Sequence, residues 1–357
     1  MKSLLLAKPK FLFLSLKRNI LPFMFCAFTL FLVLFSNSNL SATKSGLLLW
    51  ANNVIPSLFP FFIATELLSY TNIVSKIEKF LSPIMRPVFN VPGCGAYALI
   101  MGIISGYPIG AKIVSDFKGK NLCTLEESER LIAFTNNSGP LFIIGTIGIS
   151  LFSNSTIGIL LFITHFLGCL TVGVLFRFWK KNIKSFSISK KHISNNKTSM
   201  YVSFSNLGEI LTKSIINATN SILLIGGFVV IFSVILSMLK NSNLLYTISY
   251  LFKPLFKFFG IESENFISSF VAGLIELTNG LKQLSIIPCK QISINIILCS
   301  FLLGFGGISI FFQVFSITSK SNISIKPYIL GKFLHGIFAA FYTYIFINYF
   351  PIFNFNL

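Results

Sequence analysis

Apolar residues fall in long blocks at 20–36, 46–70, 131–152, 155–178, 217–239, 292–318 and 327–350. Each reaches the roughly 17–25 residues that a helix needs to cross hydrocarbon. The pattern predicts seven spanning helices. Two further apolar stretches, 92–110 and 265–287, are interrupted by Gly, Pro and polar residues, as in "MGIISGYPIGAK" and "IELTNG". Between Arg177 and Lys213 the pattern lapses into a basic Ser/Asn/Lys segment, which divides the chain near its middle.

The two halves carry the same interruptions in the same order. "LSPIMRPVF", with Pro83 and Arg86, answers to "LFKPLFKFF", with Pro254 and Lys257. "GYPIGAK", ending at Gly110 and Lys112, answers to "LTNGLK", ending at Gly280 and Lys282; proline and lysine are 29 residues apart in one half and 28 in the other. A broken apolar segment follows each: "TNNSGPLFIIG" around Gly139 and "LLGFGGISIFF" around Gly307. This spacing predicts four parts: 1–45, a basic segment and first helix; 46–178, a first repeat; 179–212, a cytoplasmic linker; and 213–350, a second repeat.

Composition sharpens the class. Of 357 residues 54% are hydrophobic and 11% charged, with 42 phenylalanines. Soluble domains carry about 25% charged residues, so the lipid bilayer is the partner for much of this surface. The net charge of +19 is dispersed between apolar blocks, where it sets topology rather than binding nucleic acid. If 92–110 and 265–287 dip in and return, with the N-terminus inside, cytoplasmic segments hold 23 of the 29 Lys and Arg. If 92–110 crossed fully, 12 basic residues would be exported, against the positive-inside rule. Re-entry leaves three crossings in each half, so the second repeat is inverted relative to the first, an arrangement recurrent in secondary transporters. The expected fold is all-α: a polytopic membrane protein of about seven spanning helices and two re-entrant hairpins in an inverted repeat. The basic Lys2–Arg18 before an apolar run resembles a signal peptide, but Leu40 at the −3 position of "LSA" argues for a retained first helix.

The stretches "PSLFPFFIATELL", "MRPVFNVPGCGAYALIMGIISGYPIGAK", "ERLIAFTNNSGPLFIIGTIG", "ELTNGL" and "GFGGISIFFQV" are similar to sporulation integral membrane proteins of the YlbJ type from endospore-forming bacteria. The similarity runs from about residue 20 to 350. It implies a nucleoside-recognition (Gate) region and an architecture related to concentrative nucleoside transporters. It further implies a place in the outer forespore membrane, moving dipicolinic acid from the mother cell towards the forespore. Spacing and composition by themselves give a candidate transporter of a small molecule, not its substrate.

Backbone freed by helix breaks survives in hydrocarbon only beside protein or a watery cavity. Gly106, Tyr107, Pro108 and Gly110, with Asn136, Asn137, Ser138 and Gly139, are therefore candidate substrate-binding residues of the first repeat. Thr278, Asn279, Gly280, Gly306, Gly307 and Gln313 are their counterparts in the second. Open helix N-termini there favour anions, and Asn and Gln both donate and accept, which suits a ring nitrogen between carboxylates. Interhelical hydrogen bonding by the same polar residues is an equal alternative. Gly145 and Gly148 are assigned to close helix packing, and Gly148→Ala is expected to be mild.

Glu276 and Glu66 are the two acids within apolar segments, and an intramembrane carboxylate is a candidate for ion coupling, with structural pairing to a lysine or an Asn as the alternative. Glu66 lies near a segment end, where it reaches the interface. Lys112 and Lys282 are read as anchors at the hairpin ends in preference to attractors of a dicarboxylate, and His165 and His335 as residues that pack or make a hydrogen bond. The six cysteines have no CxxC spacing and read as small hydrophobes, without a metal or disulfide framework. The absence of HExxH, GxSxG and phosphate-loop motifs, with Asp116 the one aspartate, gives no enzyme and no cofactor. A passive scaffold for spore assembly stays open, as do nucleoside transport and assembly as a homo-oligomer.

Overall fold

In the computed structural model residues 7–180, 206–287 and 292–353 are described. Among these the chain is helical without strands. Most of the linker, 181–205, lies outside the described residues. The first repeat is preceded by α1 (Ala7–Leu34) and α2 (Ser36–Leu49), which runs through a π-turn at Trp50–Val54 into α3 (Ile55–Ser69). Then follow α4 (Asn72–Ile84), α5 (Gly95–Ser105), α6 (Ile109–Gly119), α7 (Leu125–Thr135), a π-helical segment Phe142–Leu151 and α8 (Ser155–Phe176). The second repeat answers element for element: α9 (Leu207–Asn241), α10 (Leu244–Phe258), α11 (Glu264–Ile275), α12 (Leu277–Ile286), α13 (Ile292–Phe305), α14 (Ile308–Thr318) and α15 (Lys326–Tyr349).

Five described segments are long and apolar enough to cross a membrane: Ser36–Ser69, Ser155–Phe176, Leu207–Asn241, Ser293–Ser321 and Lys326–Tyr349. The apolar Ile20–Leu34 of α1 and the broken pair of α7 with Phe142–Leu151 account for the other two expected crossings. Large apolar side chains such as Phe23, Val33, Leu223 and Phe341 stand exposed on these helices, as lipid-facing residues must. The two matched prolines, Pro83 and Pro254, sit inside α4 and α10. These helices segregate lysines from exposed Phe80, Leu251 and Phe258, the pattern of helices lying along a membrane interface.

The apolar stretches 92–110 and 265–287 are hairpins. Hairpin 1 is α5–α6, turning at Gly106–Pro108; hairpin 2 is α11–α12, turning at Glu276. Their arms touch through glycine. A Cβ on Gly280 would lie 2.0 Å from the Gly273 Cα, so the arms of hairpin 2 meet backbone to backbone. In hairpin 1, a Cβ on Gly102 or on Gly110 would lie 1.7 Å or 2.2 Å from the Thr135 carbonyl oxygen. Both arms are thus seated on the last turn of α7. Gly148 is packed as expected, but a Cβ there would lie 2.5 Å from the Gly158 Cα. The obstacle is backbone, so Gly148→Ala is not the mild change its sequence context predicts. Gly145, whose nearest neighbour would be the Leu141 side chain at 3.7 Å, is the tolerant position.

The two broken crossings differ in how they break. The α13–α14 break uses Gly306 (φ +90°) and Gly307 (φ +85°), left-handed backbone that other residues adopt only under strain. The break after α7 instead runs extended through Asn136 and restarts at Pro140, whose missing N–H costs nothing in a first turn. α7 begins with a Thr124–Glu127 capping box. Its buried acids are paired: Glu127 with Arg86 at 2.6 Å, and Glu129 with Lys180 and the Trp179 indole, both at 2.8 Å. Arg130 donates to the carbonyls of Asn90, Trp179 and Lys180. Arg86, Arg130 and Lys180, three of the basic residues counted on the expected cytoplasmic side, fasten the base of hairpin 1 to the end of α8. The central helix is α15, packed along α13, α8 and α7.

Candidate functional site

Between the hairpin tips lies a cavity of about 50 Å³. Hairpin 1 supplies Ser105, Gly106 and Tyr107; the break after α7 supplies Gly139 and Phe142; hairpin 2 supplies Glu276, Leu277 and Thr278; α14 supplies Ser309, Ile310 and Gln313. Val54 of the π-turn and apolar residues of α3 (Leu58, Phe62) and α9 (Ile225, Phe228, Val229) line the remaining side. Both tips and both breaks thus converge from opposite halves of the sequence. The volume admits one or two waters, far below the roughly 300–1,000 Å³ of organic-ligand pockets. The tips as they stand leave too little room for an organic solute.

Glu276 is the one acid in the lining. It is 3% exposed and caps α12: its carboxylate accepts from the Thr278 N–H at 3.1 Å, the Asn279 N–H at 2.7 Å and Asn279 Nδ2 at 2.8 Å. Asn279 Nδ2 also donates to Ser233 Oγ on α9. The N-terminus of α12 is therefore already occupied by the chain's own carboxylate, which corrects the expectation of an open anion site there. α14 starts at Gly307 without a side-chain cap and borders the cavity. Glu66 accepts from Asn217 Nδ2 on α9 at 2.8 Å in an exposed position and does not line the cavity.

Of the expected binding residues, the cavity lining gathers Gly106, Tyr107, Gly139, Thr278 and Gln313, with Glu276 from the coupling pair. Pro108, Gly110, Asn136, Asn137, Ser138, Asn279, Gly280, Gly306 and Gly307 stand behind it. Asn136 is fully engaged: Oδ1 accepts from the Ala111 N–H of α6 at 3.3 Å, Nδ2 donates to the Tyr328 hydroxyl at 3.0 Å, and its carbonyl accepts from Lys332 Nζ at 3.2 Å. It ties hairpin 1 to α15. Asn137 donates to the Phe134 carbonyl and Cys169 Sγ, leaving its Oδ1 buried without a partner. Ser138 bonds the Tyr107 hydroxyl through Oγ and donates from its N–H to His165 Nε2 at 3.3 Å.

The residue that sequence reading missed is Lys332. Counted with the cytoplasmic charges, it is instead 0% exposed, between the two breaks: its Nζ is on the Asn136 carbonyl and its Cε is 3.8 Å from where a Gly306 Cβ would stand. His335, one turn on, accepts from Lys332 at Nδ1 (3.2 Å) and donates from Nε2 to the His165 carbonyl at 2.8 Å. The two imidazoles lie 4.3 Å apart. These histidines belong to one polar network, the hydrogen-bonding alternative of the two expected. The available signal was Lys332 and His335 three apart in "GKFLHG", on one helical face. Lys112 and Lys282 are exposed.

Comparison with known proteins places this geometry. Over 318 residues the chain is 33% identical to the sporulation integral membrane protein YlbJ of Bacillus subtilis (strain 168), covering 85% of this chain and 76% of that one. The chain belongs to the YlbJ family. Residues 51–178 match the Gate family, described as nucleoside recognition, a span that ends with α8 and includes hairpin 1. Two structures of CNTnw, a concentrative nucleoside transporter, share the fold of this YlbJ-family protein. One, in an intermediate state, has a TM-score of 0.57 at 12% identity, covering 82% of this chain and 76% of that chain. The other, outward-facing, has a TM-score of 0.57 at 11% identity, covering 83% and 76%. The protein is thus an integral membrane protein of transporter-like architecture.

Proposed function

We propose that this YlbJ-family protein carries a small aromatic anion, dipicolinate, across the outer forespore membrane during sporulation, bound between the hairpin tips. The observation that carries the reading is the convergence of both hairpin tips, the break after α7 and the start of α14 on one small cavity with a single carboxylate. A solute admitted there enters only as the tips part, and a barrier that opens around a bound solute is what alternating access requires. Membership of a family whose curated member is named for sporulation supports the setting. The repeats 46–178 and 213–350 are the two moving halves of this reading.

Glu276 fixes the coupling in this proposal. A dicarboxylate and Glu276 repel each other in one poorly hydrated cavity, and two like charges at close range cannot both stay ionised. A proton on Glu276 therefore accompanies the anion; once that proton leaves to water, the carboxylate again accepts from the Thr278 and Asn279 N–H groups and the site is reset. A nucleoside is the second reading, favoured by the Gate match and by a carboxylate able to accept from sugar hydroxyls.

Spores formed without this protein are expected to be depleted of dipicolinate, measured by extraction and terbium luminescence. Normal content would sink the substrate claim and return the scaffold reading. Uptake of dipicolinate blocked by excess nucleoside would favour the second.

A further inference from the structure

Among the described residues the ion pairs involve Glu127, Glu129, Glu209 and Glu264; none reaches Lys332. Its partners are a carbonyl and an imidazole. An ammonium removed from water loses several kcal/mol of hydration, and neutral dipoles replace only part of it. His335 cannot supply the missing charge: its Nε2 donates to a carbonyl, so Nδ1 is the acceptor and the ring is neutral. His165 likewise accepts at Nε2, and its Nδ1 has no partner. An amine able to take up a positive charge is thereby held in a low-dielectric interior without an anion of its own.

That amine is one side chain from the cavity. The Tyr107 ring lies 6.0 Å from Lys332 Nζ, and Tyr107 lines the cavity while its hydroxyl bonds Ser138. Asn136 and the Gly306 break hold the lysine from opposite repeats, so its position is set by the same elements that form the site.

We infer that Lys332 is the specificity-determining residue of the transport site: an internal amine, charged when an anion arrives, that makes the cavity prefer an anionic solute to an uncharged one of the same shape. It acts through space past Tyr107, as a positioning residue and not as a direct ligand. The inference rests on the anion reading given above.

The test uses the full chain in lipid nanodiscs and two probes of nearly equal shape, pyridine-2,6-dicarboxylate and pyridine-2,6-dicarboxamide. The parent is expected to bind the dicarboxylate more tightly. Lys332→Gln, which still donates to the Asn136 carbonyl, is expected to lower that preference roughly tenfold or more while keeping affinity for the diamide; Lys332→Met is expected to do the same. An unchanged preference in these variants overturns the assignment of Lys332 alone. A parent that prefers the diamide overturns the anion reading and this inference with it. A second measurement needs no variant. Raising salt from 0.1 to 1 M shortens screening from about 10 to about 3 Å and is expected to leave the parent's preference intact, because the charge is buried. Loss of the preference in high salt would assign it to exposed lysines such as Lys112 and Lys282 and overturn the proposal.

Discussion

Gly102→Ala is expected to remove most of the folded protein from the membrane, although it adds a single methyl group. The new Cβ would stand 1.7 Å from the Thr135 carbonyl oxygen, and that oxygen cannot swing aside as a side chain end can. Hairpin 1 must lift from α7, taking Gly110 with it, and the Ala111–Asn136 bond opens. Overpacking costs about 1–3 kcal/mol where neighbours can adjust; a backbone obstacle places this change at or above the upper end, against a total stability of about 5–15 kcal/mol. Gly280→Ala, aimed at the Gly273 backbone, should behave alike. Gly139→Ala is the contrast, since its nearest neighbour would be the Ile104 carbonyl at 3.4 Å. It should accumulate normally and lose transport, because its methyl enters the cavity. Membrane abundance and melting in detergent, followed by transport on the surviving variants, distinguish the cases. A Gly102→Ala protein as abundant and as heat-resistant as the parent would show that hairpin 1 is not seated on Thr135.

The second large effect is expected at Glu276. Glu276→Ala strips acceptors from two N–H groups and the Asn279 side chain. Hydrogen bonds to a charged group contribute about 1.5–3 kcal/mol each, so hairpin 2 should lose its ordered tip and transport should fall about a hundredfold or more. Glu276→Gln separates capping from charge, keeping one acceptor oxygen while removing the ionisable group. In proteoliposomes it is expected to exchange labelled dipicolinate across the membrane yet fail to concentrate it under a proton gradient. Uphill accumulation by Glu276→Gln at the parental rate would end the coupling role. Loss of exchange as well would assign Glu276 to binding.

Much of this architecture was readable from residue order because hydrocarbon imposes simple rules. Apolar length set the crossings, interruptions by Gly and Pro marked both hairpins and both breaks, and the lysine distribution gave re-entry. The amphipathic character of α4 and α10 around the matched prolines is a local property of the same kind. Glu276 was also visible, since a carboxylate in an apolar stretch has few bland explanations.

What linear order could not supply was which polar atoms face the cavity and which are spent holding it. Asn136 and Thr278 look alike as candidates, yet only Thr278 lines the cavity, because Ala111, Tyr328 and Lys332 converge on Asn136 from distant segments. Gly102 and Gly145 are both glycines in apolar helices; only tertiary packing puts a carbonyl against one and space beside the other. Lys332 is the clearest case. A lysine six residues inside the start of α15 reads as an interfacial anchor until α7 and the α13–α14 break fold over it. Helix periodicity assigns a face, but burial of a charge is decided by what other segments bring to that face, and those lie some 25 and 200 residues away in the chain.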